Sequence, residues 1–384
     1  MDPIPFNRPY LVGTEAGYIE QAVDAGWLAA GGSFTRRCEG WLREATGSPQ
    51  VLLTHSCTAA LEASALVLGL GPGDEVIMPS FAFVTTGSAF ALRGATPVFV
   101  DIEPITLNVD PERVRAAVGP ATKAIVPVHY AGVGCDMDAL LALASERRLK
   151  VVEDAAQGLL ASRGGRPLGG MGQLGAISFH ETKNVTAGEG GALLVNDPAL
   201  RERAEVVWEK GTDRRRFHRG EVDRYTWTEL GSSFGPSEVG AAFLWGQLEA
   251  ADRITTRRLE IWRRYHEAFA DLERDGRVRR PVVPPECVHN AHMYYLLLPD
   301  HDARTRFIRE LAARDILAVF HYVPLHSSPA GRRLGRPHGE LTHTDELSAR
   351  LVRIPLWTGM DDPTVERVIA NVREVIDSYV APPA

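Results

Sequence analysis

Cysteine is scarce in this chain: there are four in 384 residues. Cys38, Cys57, Cys135 and Cys287 form no CxxC pair and no zinc-ligand spacing. A disulfide scaffold and a structural zinc site are therefore not expected, and free thiols in a reducing compartment are. Excess basic charge is absent as well. The formal net charge is −7, whereas a nucleic-acid partner demands a net basic surface against its phosphates. Long hydrophobic runs are missing: nothing approaches the stretch of about 20 apolar residues that a membrane helix needs, and the opening MDPIPFNR is not an apolar signal segment. Internal repeats and low-complexity tracts are not visible. The expectation is a cytoplasmic globular protein with no nucleic-acid and no membrane partner. Its length suits one large domain and one smaller one.

Between residues 50 and 196, short apolar runs alternate with helical patterns. The runs are Val51–Leu53, Glu75–Met78, Pro97–Asp101, Lys123–Val128, Lys150–Glu153, Ala176–Phe179 and Ala192–Val195. Runs this short and this apolar suit strands buried on both faces. Asp110-Pro111-Glu112 supplies an N-cap, a proline at the first helical position and an acid in the first turn. Asp136–Arg148 has leucines at helical spacing and ends in two arginines. The alternation predicts an α/β domain with a mainly parallel sheet flanked by helices.

Ser237–Arg274 reads as one long helical region, with a kink expected near Thr255. Beyond it, Pro281-Val282-Val283-Pro284-Pro285 breaks the pattern. Strands are expected at Met293–Leu298 and Ala318–Tyr322, and helices at Ala303–Arg314 and Pro363–Ser378, which make a small α+β domain. The division is placed at 1–250 for the large domain and 251–384 for the small one with its connecting helix.

Three stretches carry candidate chemistry. Val51–Leu61 reads as strand, small polar loop and Ala-rich helix, and the free N–H groups at such a helix start, helped by Ser56 and Thr58, suit a phosphate. Glu153 and Asp154 follow an apolar strand, so one of them emerges at its carboxyl end, where ligands bind in open α/β sheets. Alternation turns the two side chains to opposite faces. Lys183 stands a few residues past the next buried strand and before a Gly-rich turn at Gly188–Gly191, which suggests close backbone approach to a ligand. Alone, each has an ordinary explanation: a helix cap, a turn acid, a surface lysine. Together they are the parts that pyridoxal 5'-phosphate chemistry requires, namely a phosphate seat, an acid for the ring nitrogen and a Schiff-base lysine.

Ordered motifs extend the pattern along nearly the whole chain. They include Ser56-Cys57-Thr58-Ala59-Ala60-Leu61-Glu62, Pro127-Val128-His129-Tyr130-Ala131-Gly132, Val152-Glu153-Asp154-Ala155-Ala156-Gln157 and Ser178-Phe179-His180-Glu181-Thr182-Lys183-Asn184. Lys210-Gly211-Thr212, Gln247–Arg253 and Phe320-His321-Tyr322-Val323-Pro324-Leu325-His326 follow. In these stretches the sequence resembles the DegT/DnrJ/EryC1/StrS sugar aminotransferases, and among them the dTDP-4-amino-4,6-dideoxygalactose transaminases.

The resemblance implies a type I fold and a homodimer whose active site is shared between subunits. It implies transamination of a nucleotide-linked 4-keto sugar with an amino-acid donor, L-glutamate. By the same resemblance Lys183 carries the cofactor, Asp154 pairs with the ring nitrogen, Gln157 meets the ring hydroxyl and Phe83 stacks on the ring. Cys57, Thr58 and Ser178 hold the phosphate. His129, Tyr130, His326, Asn7 and Arg8 are the residues expected at the sugar mouth.

The pattern departs at Ser233-Phe234-Gly235, where much of the family has an asparagine and an arginine. Ser233 stands where that asparagine reaches the neighbouring subunit's phosphate. Relatives that dehydrate sugars carry histidine in place of the lysine, and Lys183 speaks against that chemistry. The run Arg214–Arg219 reads either as a seat for the nucleotide diphosphate or as a solvated loop. His321 and His326, five apart across a proline, have poor metal-ligand geometry, and no metal is expected.

Overall fold

The computed structural model describes residues 2–379. Seven strands form the body of the large sheet: β1 Gln50–Thr54, β2 Glu75–Pro79, β3 Thr96–Val100, β4 Thr122–Ile125, β5 Lys150–Asp154, β6 Leu174–Ser178 and β7 Gly191–Val195. The short strand Arg336–Pro337 adds an eighth, and the order is β1-β7-β6-β5-β4-β2-β3 followed by Arg336–Pro337. Contacts from β6 to the far edge are parallel, while β7 runs antiparallel to both β1 and β6. All seven apolar runs read from the sequence are strands of this sheet. They are apolar throughout because helices cover both faces.

Two helices, Glu15–Asp24 and Ser33–Thr46, pack with Glu238–Leu248 on one side. Buried Glu238 ties them together by accepting the N–H groups of Gly32, Phe34 and Thr35 at 2.9–3.0 Å. The expected single helix from Ser237 to Arg274 is in fact three: Glu238–Leu248, Ala251–Ala268 and Ala270–Arg274. The first break falls at Glu249–Ala250, not at Thr255, and it has a packing cause. Leu244 and Leu248 belong to the core under β1 and β7, while Ile261, Trp262 and Tyr265 belong to a second core.

That second core is built on a three-stranded antiparallel sheet, with Leu351–Ile354 in the centre between Tyr294–Leu297 and Val319–Phe320. Helices His301–Ala312 and Asp362–Tyr379 close it. Arg258, buried in the long helix, donates to the carbonyls of Ala291 and His292 at 3.1 and 2.7 Å and so fixes the segment that enters this sheet.

Candidate active site

The carboxyl ends of the parallel strands open into a cleft of about 690 Å³ whose far wall is the small sheet. Lys183 enters from the loop that joins β6 to β7. This loop is held from both sides. The Lys183 N–H donates to the His180 carbonyl at 2.9 Å, and the next side chain, buried Asn184, donates to the Asn290 carbonyl at 2.8 Å. Burial in the cleft wall lowers the Lys183 pKa from its ordinary value, against the opposing pull of Asp154. A neutral amine, the form that attacks a carbonyl, is thereby favoured.

Asp154 ends β5 and is 5 % exposed. Its Oδ2 accepts the Thr86 hydroxyl at 2.7 Å, and its Oδ1 accepts the Ala156 N–H at 3.2 Å. These two bonds fix a carboxylate at the cleft floor. Its neighbour Glu153 points the other way and is fully buried. It takes N–H groups from Gly169, Met171 and Gly172 at 2.5–2.9 Å and the His129 Nε2 hydrogen at 2.9 Å. One acid faces the cleft and the other holds the loop between β5 and β6, as strand alternation requires.

The third part is the start of helix Cys57–Val67. Ser56 caps it, its Oγ accepting the Ala59 N–H at 3.0 Å, and the Cys57 and Thr58 ends line the cleft. First-turn N–H groups of a helix lack internal partners and attract anions. Gly191 opens β7 directly against this turn: a Cβ there would stand 2.4 Å from the Cys57 nitrogen and from the Ser56 carbonyl carbon. Burial pushes the Cys57 thiol pKa well up, so it stays neutral and does not repel an anion. Buried Ser178 reaches the same cleft, and its Oγ accepts the His180 N–H at 3.4 Å. An anion seat, a fixed carboxylate and a neutral-leaning amine around one cleft fit a pyridine aldehyde phosphate.

Other sequence candidates separate clearly. Phe83, at the start of helix Val84–Ala91, is 54 % exposed and lines the cleft. Gln157 lines the cleft too. Its Oε1 accepts the Ala131 N–H at 2.7 Å and its Nε2 donates to the Tyr322 hydroxyl at 3.1 Å. Asn7 is at the mouth, its Nδ2 donating to the Glu181 carbonyl at 3.2 Å, while Arg8 is exposed and not part of the lining.

The expectation that His129 and Tyr130 line the sugar mouth is corrected. His129 lies fully buried between Glu153 and the Cys135 N–H, which its Nδ1 accepts at 3.1 Å. Tyr130 is buried among Phe81, Tyr295 and Tyr322, with its hydroxyl 3.1 Å from His321 Nδ1. Both residues sit behind the wall. His326 also lies outside the lining, bonded through Nδ1 to the Ser80 hydroxyl at 2.7 Å. Ser233 is exposed, away from this chain's own cleft.

The basic run forms helix Arg214–His218 with its cations already matched. Arg216 meets Glu202 at 2.9 Å, Arg219 meets Glu205 at 2.8 Å, and the Arg215 guanidinium lies 4.3 Å from the Trp208 ring centroid. No group of three or more His, Cys, Asp or Glu among the described residues could hold a metal ion. No described helix is long and apolar enough to cross a membrane.

Sequence reasoning missed the opposite wall, where Phe6, His292, His321, Tyr322 and Arg353 line the cleft. His321 and Tyr322 lie inside a quoted motif but had no role assigned. Arg353 had a signal of its own, as the lone charge in Leu351-Val352-Arg353-Ile354-Pro355-Leu356. Thr86, the partner of Asp154, is a fully buried hydroxyl in a helix and gave no such signal.

The profile of the DegT/DnrJ/EryC1/StrS aminotransferase family matches residues 9–373. The chain belongs to this family. One similar relative is the spore coat polysaccharide biosynthesis protein SpsC of Bacillus subtilis, 33 % identical over 381 residues that cover 97 % of each chain. Among solved structures, the aminotransferase TlmJ from Streptoalloteichus hindustanus superposes with a TM-score of 0.90 at 32 % identity, covering 98 % of this chain and all of that one. Spr1654 from Streptococcus pneumoniae, described as a sugar aminotransferase and solved in its PLP form, gives 0.89 at 26 % identity over 98 % of this chain and 99 % of its own. This DegT/DnrJ/EryC1/StrS member is accordingly a type I aminotransferase that uses pyridoxal 5'-phosphate.

Proposed function

We propose that the enzyme moves an amino group from L-glutamate to the keto carbon of a nucleotide-linked 4-keto sugar, a dTDP-4-keto-6-deoxyhexose or a related keto pentose. The observation that carries this reading is the convergence of Lys183, Asp154 and the Cys57–Thr58 helix start on one cleft. The wider relationship to a polysaccharide biosynthesis protein and to a described sugar aminotransferase supports a sugar acceptor. Four free cysteines support a reducing, cytoplasmic setting. Trp27 and Trp227, 52 % and 75 % exposed, support a homodimer that covers them, with Ser233 offered to the neighbouring subunit. A second core of residues 261–376, joined by Ile4, supports a small domain that begins after the 250/251 division, although Leu325, Leu341 and the strand Arg336–Pro337 pack with the large one.

In this reading Lys183 holds the cofactor, the Cys57 and Thr58 N–H groups and the Ser178 hydroxyl hold its phosphate, and Phe83 covers its ring. Bound there, the cofactor supplies an electron sink for the carbon that bears the amine. Asp154 would pair with the ring nitrogen, and Thr86 keeps Asp154 aimed. Gln157 and Tyr322 form the hydrogen-bonded pair at the ring's hydroxyl side. Lys183 Nζ, once free, would be the base that takes the proton from the amine-bearing carbon and the acid that gives it up in the same half-reaction. His292 and His321 remain neutral, since burial, helped by the charge of Arg353, presses their pKa values well down, and they leave that proton to Lys183.

The test is amine transfer from L-glutamate to a panel of dTDP- and UDP-linked keto sugars. Formation of a 4-amino sugar nucleotide is expected. Turnover confined to ketones that lack a nucleotide would overturn the substrate reading.

A further inference from the structure

Asn290-Ala291-His292 is the buried segment that leads into strand Tyr294–Leu297 of the small sheet. The Asn290 amide is fully used. Its Nδ2 donates to the Gln157 and Leu159 carbonyls at 2.8 Å each, in the loop that follows Asp154, and its Oδ1 accepts the His292 N–H at 3.0 Å. The Asn290 carbonyl takes the Asn184 Nδ2 hydrogen, next to Lys183. The turn Tyr130–Gly132 closes over the same amide: a Cβ at Gly132 would stand 2.1 Å from Asn290 Oδ1. Ala291 holds a left-handed φ of 51° without being glycine, a conformation that persists only where the surroundings over-determine it. Arg258 helps to hold it through the Ala291 and His292 carbonyls. His292 completes the set, with Nδ1 3.2 Å from Asn184 Oδ1. Because Asn184 Nδ2 faces a carbonyl, Oδ1 is the acceptor and the hydrogen lies on His292 Nδ1. The ring is neutral, so its Nε2 lone pair is left toward the cleft that the residue lines.

We propose that His292 is a positioning residue for Lys183 that acts through Asn184, clamping the lysine loop to the Asn290 segment and, through Asn290, to the loop of Asp154 and Gln157. This assignment rests on the reading of Lys183 as the residue that holds the cofactor and moves the proton, and it adds what keeps that lysine in register. A lysine amine sits on a flexible four-carbon stem, so its aim depends on where its backbone is fixed. Between β6 and β7 the chain forms no helix or strand, and the Asn184 side chain is what ties it to the far wall of the cleft. With both amide atoms answered, Asn184 has one orientation. Without the His292 hydrogen the amide can turn over, and the loop loses half of its tie. A displacement of about 1 Å at a reacting group costs on the order of 10²-fold in rate.

Three replacements separate the two ring nitrogens. His292→Asn can set its amide nitrogen where Nδ1 stands, His292→Gln reaches instead to where Nε2 stands, and His292→Phe keeps a ring with neither. Two readouts are taken on the full chain: the rate at which apo-protein captures pyridoxal 5'-phosphate, and the isotope effect of α-deuterated L-glutamate on the donor half-reaction, followed by cofactor absorbance. His292→Phe is expected to slow both capture and amine transfer about 10- to 100-fold, with KM for L-glutamate held within about twofold, and to raise the isotope effect because the proton step becomes the slowest. His292→Asn should recover most of the loss and His292→Gln little; where His292→Phe does not fold, that contrast carries the test. Recovery by His292→Gln instead, or a raised KM with kcat intact, would give the ring to substrate contact and overturn the assignment. A lowered Tm with capture rate and isotope effect unchanged, the mark of a merely structural part, overturns it too. A wild-type enzyme that captures the cofactor yet takes an amine from no amino acid overturns the transamination reading, and the capture rates then still decide for or against His292.

Discussion

Glu153 and Asp154 are neighbours on one strand with opposite duties, and an amide at each position separates those duties. Each Glu153 oxygen accepts two donors. Oε1 takes the Met171 and Gly172 N–H groups at 2.6 and 2.5 Å, and Oε2 takes those of Gly169 and His129 at 2.9 Å each. His129 cannot exchange its donor for an acceptor, because its Nδ1 already accepts the Cys135 N–H. In Glu153→Gln one oxygen becomes an amino group, and two buried donors then face a donor. Hydrogen bonds to a charged group contribute about 1.5–3 kcal/mol each, so the loss is about 3–6 kcal/mol. An unfolding entropy of about 2.1 cal/mol/K per residue over 384 residues is about 0.8 kcal/mol/K, and Tm should fall by about 4–7 °C. Asp154→Asn behaves differently. Its oxygen can still accept the Ala156 N–H while its amino group donates to Thr86, so Tm should move by no more than about 1 °C, and turnover should fall on the order of 10²–10³-fold. Scanning calorimetry and steady-state kinetics on both variants decide the matter. An unshifted Tm in Glu153→Gln, or an active Asp154→Asn, would refute the reasoning that alternation divides the roles.

Three further outcomes follow from the cleft. Phe83→Ala should weaken cofactor binding about 2- to 10-fold, the equivalent of one aromatic contact, with Tm unchanged because the ring is more than half exposed; spectrophotometric titration of the apo-protein measures it. Gly191→Ala drives a methyl group into the Cys57 nitrogen, so it should abolish tight cofactor binding and lower Tm together, and an alanine variant that binds normally would remove Gly191 from the phosphate seat. The rate of cofactor capture by apo-protein should rise with pH as Lys183 loses its proton. Its midpoint should lie below the ordinary lysine value of 10.5, since burial favours the neutral amine; a midpoint at or above that value contradicts the stated environment.

Much of the large sheet was legible because parallel strands buried on both faces leave unbroken apolar runs. The ends of those strands were legible as well, which is why Asp154, Lys183 and the Cys57 helix start could be found together. The small domain was harder for a physical reason. Helix Thr342–Arg350 passes directly into strand Leu351–Ile354, with no glycine or proline between them to mark a turn, so the central strand of that sheet escaped notice along with Arg353. The break at Glu249–Ala250 was hidden in the same way: the chain changes partners from one core to another without a local breaker. His129 and Tyr130 misled for the opposite reason. Polar residues in a well-marked motif look like ligands of a substrate, but these two satisfy buried partners. Phe6 reaches the cleft from the far end of the chain, through packing that no local pattern encodes.

The central claim is that Lys183 holds pyridoxal 5'-phosphate. Borohydride reduction of the loaded enzyme, followed by peptide mass spectrometry, tests it most directly. The account predicts a yellow protein, bleached by the reagent, with the cofactor's mass fixed on the peptide that contains Lys183 and on no other. A label on a different lysine, or a Lys183→Ala variant that still turns over, would contradict it.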